Sequence, residues 1–95
     1  MKNSSLTQLP NIGKVLEKRL KEVEIETAEQ LRSNTAENTF IKLKTIDEGA
    51  CLHELMALEG AIQGIKSELL DPARKEELKI FHRQLSKKTT DKNIF

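Results

Sequence analysis

The tightest constraint on this chain is the stretch Leu9–Leu20, LPNIGKVLEKRL, where a turn runs directly into an amphipathic helix. Pro10 holds its φ at about −65° and pushes Leu9 away from helical geometry. Asn11 tolerates the left-handed region, and Gly13 accepts dihedrals that other residues refuse. Ile12, Leu16 and Leu20 then recur four residues apart, with Val15 and Val23 beside them, forming one apolar stripe. Such a corner requires helix to pack on helix, with Ile12 plugging the turn into the core.

The rest of the sequence is punctuated in the same way. SSLTQL suits a short first helix with Ser4 or Ser5 as N-cap, ended by Leu9-Pro10. Thr27 opens TAEQLR as a capping box with Gln30. Thr35 caps TAENTFIKLKTI, whose apolar residues are Phe40, Ile41 and Leu43. DEG at 47–49 breaks the pattern, and the most apolar helix follows over roughly Ala50–Ile65. Its stripe is Leu55, Leu58, Ile62 and Ile65, widened by Leu52 and Met56. Asp71-Pro72 starts the last helix, which places Leu78, Phe81 and Leu85 inward and ends near Leu85. Sustained period-two alternation is absent, so no strand is expected. The expected fold is all-α, a compact bundle of five or six short helices with a helix-hairpin-helix-like N-terminal part. Residues 1–88 form one domain and 89–95 a flexible tail.

Charge is unevenly placed. Net charge is +1, yet residues 35–71 carry three Lys/Arg against seven Asp/Glu, and residues 72–95 carry seven against three. Such asymmetry suits an electrostatically oriented partner, although solvated helix faces produce it too. No apolar run approaches the roughly 20 residues of a membrane span, and MKNSSLTQ lacks the apolar region of a secretory signal. With a single cysteine, Cys51, no internal disulfide can form, and a cytoplasmic setting is expected.

The polar residues that remain are read as structural. Cys51 and His53 sit two apart with His82 distant, so no metal site is expected, and Cys51 reads as a small core residue. Glu59, inside the apolar helix, caps a neighbouring helix or pairs with a basic side chain; the sharper alternative is a buried acid of tuned pKa. Gly60 and Gly64 place small residues on adjoining turns for helix close-packing, within the chain or across a homodimer seam. No nucleophile triad, phosphate loop or paired-acid motif occurs, so neither enzyme activity nor a cofactor is expected.

The hairpin carries the functional reading. Gly13 and Lys14 open a helix whose first amides lack intrahelical partners and whose dipole is positive at that end. A phosphate fits there, with Lys14, Lys18 and Lys21 outward beside it. Pro10, Asn11 and Ile12 shape the turn. The pattern resembles the helix-hairpin-helix motif of DNA-binding proteins, in which hairpin amides hold a backbone phosphate without reading sequence. Asn11 stands in place of the motif's first glycine, and its side chain competes for the approach route. One hairpin neutralises two or three phosphates, giving a salt slope of about −2 to −3.

Taken together, LTQLPNIGKVLEKRLKEVEIETAEQLR, FIKLK, CLHELMALEGAIQGI and ELL resemble the C-terminal domain of the TfoX/Sxy family, bacterial regulators of competence for DNA uptake. The resemblance spans about residues 6–85. It implies a helical domain similar to helix-hairpin-helix and SAM-like folds, and a non-enzymatic module that binds nucleic-acid backbone or supports a DNA-related regulator. The alternative is a protein-interaction module, docking a regulatory partner or a second copy, in which the hairpin is only a corner. The N-terminal α/β domain of the full regulators has no counterpart in these 95 residues.

Overall fold

The computed structural model describes residues 6–94, with side chains described through residue 85. Its elements are a 3-10 turn η1 (Leu6–Gln8), α1 (Lys14–Glu22), α2 (Ala28–Ile46), α3 (Leu52–Gln63), a second 3-10 turn η2 (Ser67–Leu69) and α4 (Pro72–Ile94). All regular structure among the described residues is helical. There are four α-helices and two 3-10 turns, rather than five or six helices. The difference has two sources. LTQ makes only a single 3-10 turn, and the segments opened by Thr27 and Thr35 follow one another within α2, across a kink at Thr35. The proposed Ser4 and Ser5 caps lie outside the described residues.

Thr27 and Thr35 nonetheless both act as caps. Thr27 Oγ1 accepts the Gln30 amide at 3.1 Å, while the Gln30 side chain reaches back to the Glu26 amide at 2.6 Å. Thr35 breaks the helix at φ 63° and ψ 163°, an outlying backbone for a β-branched residue. Its Oγ1 accepts the Asn38 amide at 3.3 Å. Asn34 spans the break, donating to Gln30 O and accepting from Lys42 Nζ, both at 2.9 Å. Thr39, fully buried, finds no partner for its hydroxyl. The carbonyl four residues back, a usual acceptor for a helical threonine, belongs to Thr35, which is out of helical register.

Two helix ends share one device. Glu24 at φ 68° and Gly64 at φ 79° are left-handed residues past α1 and α3. The amides of Ile25 and Ile65 then return to Leu20 O and Gly60 O, each at 2.9 Å. Gly64 therefore terminates α3. No atom comes within 4 Å of where its Cβ would stand, so it is not a close-packing position. Asp47 ends α2 and folds DEG into a tight turn, its carboxylate accepting the Gly49 amide at 2.9 Å. α4 continues to Ile94, past the end expected near Leu85. Residues 86–94 contain no glycine or proline to stop it.

The core gathers Leu6, Ile12, Leu20, Ile25, Leu31, Phe40, Leu43, Leu55, Leu58 and Leu78, with α3 packed most extensively on α2. Ile12, Leu16 and Leu20 bury as their spacing requires, whereas Val15 is 68% exposed and Ile41 41% exposed. Both are apolar residues of their helices that the core leaves uncovered. Cys51, expected in the core, is exposed.

Arg74 on α4 joins three helices. It meets Glu37 of α2 through both guanidinium nitrogens at 2.9 Å, Glu59 of α3 at 2.9 Å and Glu77 one turn on at 3.0 Å. Gln63 also donates to Glu59. Burial pushes the Glu59 carboxyl up, but the hydrogen bonds from Arg74 and Gln63 and the charge of Arg74 outweigh it and hold the group below its ordinary value. Glu59 is thus a structural partner of a basic side chain. Farther along α4, His82 lies against Phe40, with ring centroids 5.7 Å apart. Burial, then the charge of Lys44, lowers its pKa.

Two predictions follow from this packing. Arg74→Ala leaves Glu59 buried without its counter-ion and destabilises the domain by about 3 kcal/mol, read by urea unfolding; adding Glu59→Gln recovers part of the loss. A histidine whose folded pKa is depressed destabilises the fold as pH falls, because the unfolded chain takes up the proton first. Stability should therefore decline as pH drops from about 7.5 through the unfolded value of about 6.5, and level off below the lower folded value. His82→Gln should flatten that slope in thermal melts.

Candidate nucleic-acid interface

The turn Leu9–Gly13 delivers the start of α1 to the surface. Asn11 takes φ 72°, and its side chain turns towards α3. Its amide nitrogen donates to Ile65 O at 2.9 Å and Ala57 O at 3.4 Å, and its oxygen accepts the Ser67 amide at 3.1 Å. This interlock explains Gly60. A Cβ there would strike the Asn11 amide and stand 2.7 Å from Ile65 O and 3.2 Å from the Ser67 amide. The close neighbours of Gly60 are therefore the hairpin asparagine and the loop after α3, not a second helix. Because every polar atom of the Asn11 side chain is engaged there, the side chain does not cover Gly13. Nothing lies within 4 Å of where a Gly13 Cβ would be.

Gly13 is the N-cap of α1, extended at φ −96°, and makes no side-chain cap bond. The first backbone bond of the helix is Glu17 N–H to Gly13 O at 2.9 Å. The amides just ahead of it are the orphan donors of a helix start. Gly13 and Lys14 line a groove of about 510 Å³ whose other lining includes the beginning of α3. There Cys51 is the N-cap, also without a side-chain cap bond. Two helix N-termini thus face one groove with no side chain capping either of them.

The groove's charges are mixed and partly spent. Arg19 lines it but bridges Asp47 at 3.0 Å and Glu54 at 3.2 Å. Glu68 is exposed on the η2 side, and Glu17 stands in the first turn of α1. Lys14, Lys18 and Lys21 are exposed along α1 and make no ion pair among the described residues. Lys14 borders the groove; Lys18 and Lys21 continue its face at helical spacing. The structure thus brings Pro10, Asn11, Ile12, Gly13 and Lys14 into one corner, with Gly60 bound to it through Asn11. Gly64 lies apart as a helix cap. Among the described residues no group of three or more His, Cys, Asp or Glu side chains is arranged to hold a metal ion.

Sequence reasoning missed the α3 wall. It began that helix at Ala50 and turned Cys51 inward, whereas the helix begins at Leu52. The available signal was Glu54, an acid three residues after Cys51 at a helix start. Arg19 was missed because its partners lie 28 and 35 residues away.

A small all-α module that presents a hairpin-borne helix start at its surface defines the class. The chain belongs to the TfoX C-terminal domain family, whose model matches residues 2–82. It is similar to an uncharacterized protein from Listeria monocytogenes, crystallised in a triclinic form, at 44% identity and a TM-score of 0.86; the match covers 87% of this chain and 94% of that one. A protein of unknown function from Listeria monocytogenes, in a tetragonal form, is 46% identical with a TM-score of 0.83, covering 85% and 99%. No curated protein matches the chain at a significant level.

Coupling between Asn11 and Gly60 is directly testable. Gly60→Ala should destabilise the domain by about 2 kcal/mol despite alanine's better helix propensity. In an Asn11→Gly background, which keeps the positive φ and removes the amide, the same change should cost measurably less. The double-mutant cycle is read by urea denaturation.

Proposed function

We propose that this domain is a non-enzymatic module that binds nucleic-acid backbone weakly and without sequence preference, in the cytoplasm and in support of a DNA-related regulator. The reading is carried by one observation: the uncapped N-termini of α1 and α3 open on the same groove beside Lys14. Orphan amides and two positive dipole ends favour a phosphate oxygen there. Gly13 admits the phosphate because it adds no side chain, Lys14 pairs with it, and Lys18 and Lys21 add charge along the same helix. Pro10, Asn11 and Ile12 position the corner. Membership of the TfoX C-terminal domain family agrees with a DNA-related setting, through the competence regulators that carry this domain. Among the described residues no helix is long and apolar enough to cross a membrane.

A second reading has its own support. Val15, 68% exposed, lines the groove beside Lys14, and Leu69 is 66% exposed on η2. Exposed apolar side chains, one of them lining the groove, suit a docked protein segment or a second copy of the chain.

Duplex DNA titrated at low salt should shift the NMR amide signals of Gly13 and Lys14, and Lys14→Glu should weaken binding. Unmoved signals together with an unaffected Lys14→Glu variant would overturn the nucleic-acid reading, and retention of a protein partner in the same state would favour the second.

A further inference from the structure

The hairpin engages few phosphates, and the described surface carries a second free run of positive charge. It lies on α4. At the start of that helix the basic residues are occupied: Arg74 by Glu37, Glu59 and Glu77, and Lys75 by Glu68 O at 3.0 Å. Beyond them the pattern changes. From Leu78 to Thr90 the sequence holds Lys79, Arg83, Lys87 and Lys88 and no acid. Lys79 and Arg83 are exposed and make no ion pair among the described residues. Lys79, Arg83 and Lys87 follow one another at intervals of four, and the helical backbone continues through all three to Ile94. Each step advances about 6 Å along the axis and turns about 40°, so the three positions stay on one side of the helix at a spacing comparable with that of neighbouring backbone phosphates.

We propose that this side of α4 is a second nucleic-acid contact, binding phosphates of the backbone through Lys79 and Arg83. The inference rests on the reading that the domain's ligand is nucleic acid, but it uses none of the hairpin residues. Its chemistry is counterion release: each lysine or arginine that neutralises a phosphate frees a condensed cation. An anionic membrane is the poorer match. A helix lying in a lipid interface needs an apolar face opposite its charges. Here the stretch 86–93, SKKTTDKN, has no apolar residue, and among the described residues of α4 the exposed large hydrophobic is Ile80.

The test uses the full chain, a fluorescent DNA duplex and anisotropy titrations from low to physiological salt. Three proteins are compared: wild type, K79Q/R83Q and K14Q/K18Q. Glutamine matches lysine and arginine closely in helix propensity, so melting curves should coincide. K79Q/R83Q is expected to bind at least about tenfold more weakly at low salt, with a salt slope shallower by about 2. If K79Q/R83Q binds like wild type while K14Q/K18Q is weakened, the α4 contact is wrong and the hairpin reading survives. Loss in K79Q/R83Q with none in K14Q/K18Q supports the α4 contact and removes the hairpin from it. Wild-type protein that ignores duplex, or that binds only phosphatidylserine-containing vesicles, overturns both.

Discussion

The interlock of Asn11 with the end of α3 is the contact on which the candidate site depends. The amide of Asn11 donates to Ile65 O in the loop past α3 and, at longer range, to Ala57 O within the helix, 54 and 46 residues away in sequence. The Ser67 amide completes the exchange. The asparagine adopts a backbone conformation uncommon for a residue with a side chain, and that conformation aims the amide at the notch left by Gly60. The turn is thereby bonded to the loop between α3 and η2. The direction in which α1 begins, and the opening of its first amides on the α3 wall, follow from that bond. An asparagine where a glycine would serve the turn alone is thus explained by tertiary structure.

Much of the scaffold was legible in the sequence because the information was local. Thr27 and Thr35 announce caps three residues ahead of the amides they hold. Asp71-Pro72 starts α4, and Ile12, Leu16 and Leu20 declare a buried face by spacing alone. The failures share one cause: they turn on what another element brings. Val15 and Ile41 are apolar residues at plausible spacing, but no neighbour covers them. Cys51 is apolar enough for a core and stands instead exposed at the start of α3, capping nothing with its side chain. Gly60 and Gly64 look alike in sequence, yet one makes room for Asn11 and the other ends a helix. Glu59 could be assigned a basic partner in general, but Arg74 could not be chosen from 16 Lys/Arg residues without the packing of α4 on α3. At the candidate site, the α1 corner was legible and the α3 wall was not, since its contribution is backbone geometry rather than residue type.

The net charge of +1 conceals a separation between paired and exposed charge. Arg19 and Arg74, with forked guanidinium groups suited to more than one carboxylate, each bind acids from other elements: Asp47 and Glu54 in one case, Glu37 and Glu59 in the other. These pairs consume much of the acidic middle of the chain. Lys14, Lys18, Lys21 and Lys79 remain outside, and Arg32 and Arg83 with them. An acid used to fasten helices together cannot also shield a surface lysine at a distance. The ion pairs that build the fold therefore also uncover its basic faces, and those faces lie on the helix that leaves the hairpin and on the one that closes the described chain. A polyanion senses this local excess rather than the sum over the molecule, because beyond roughly 8–10 Å of salt solution the remaining charges are largely screened.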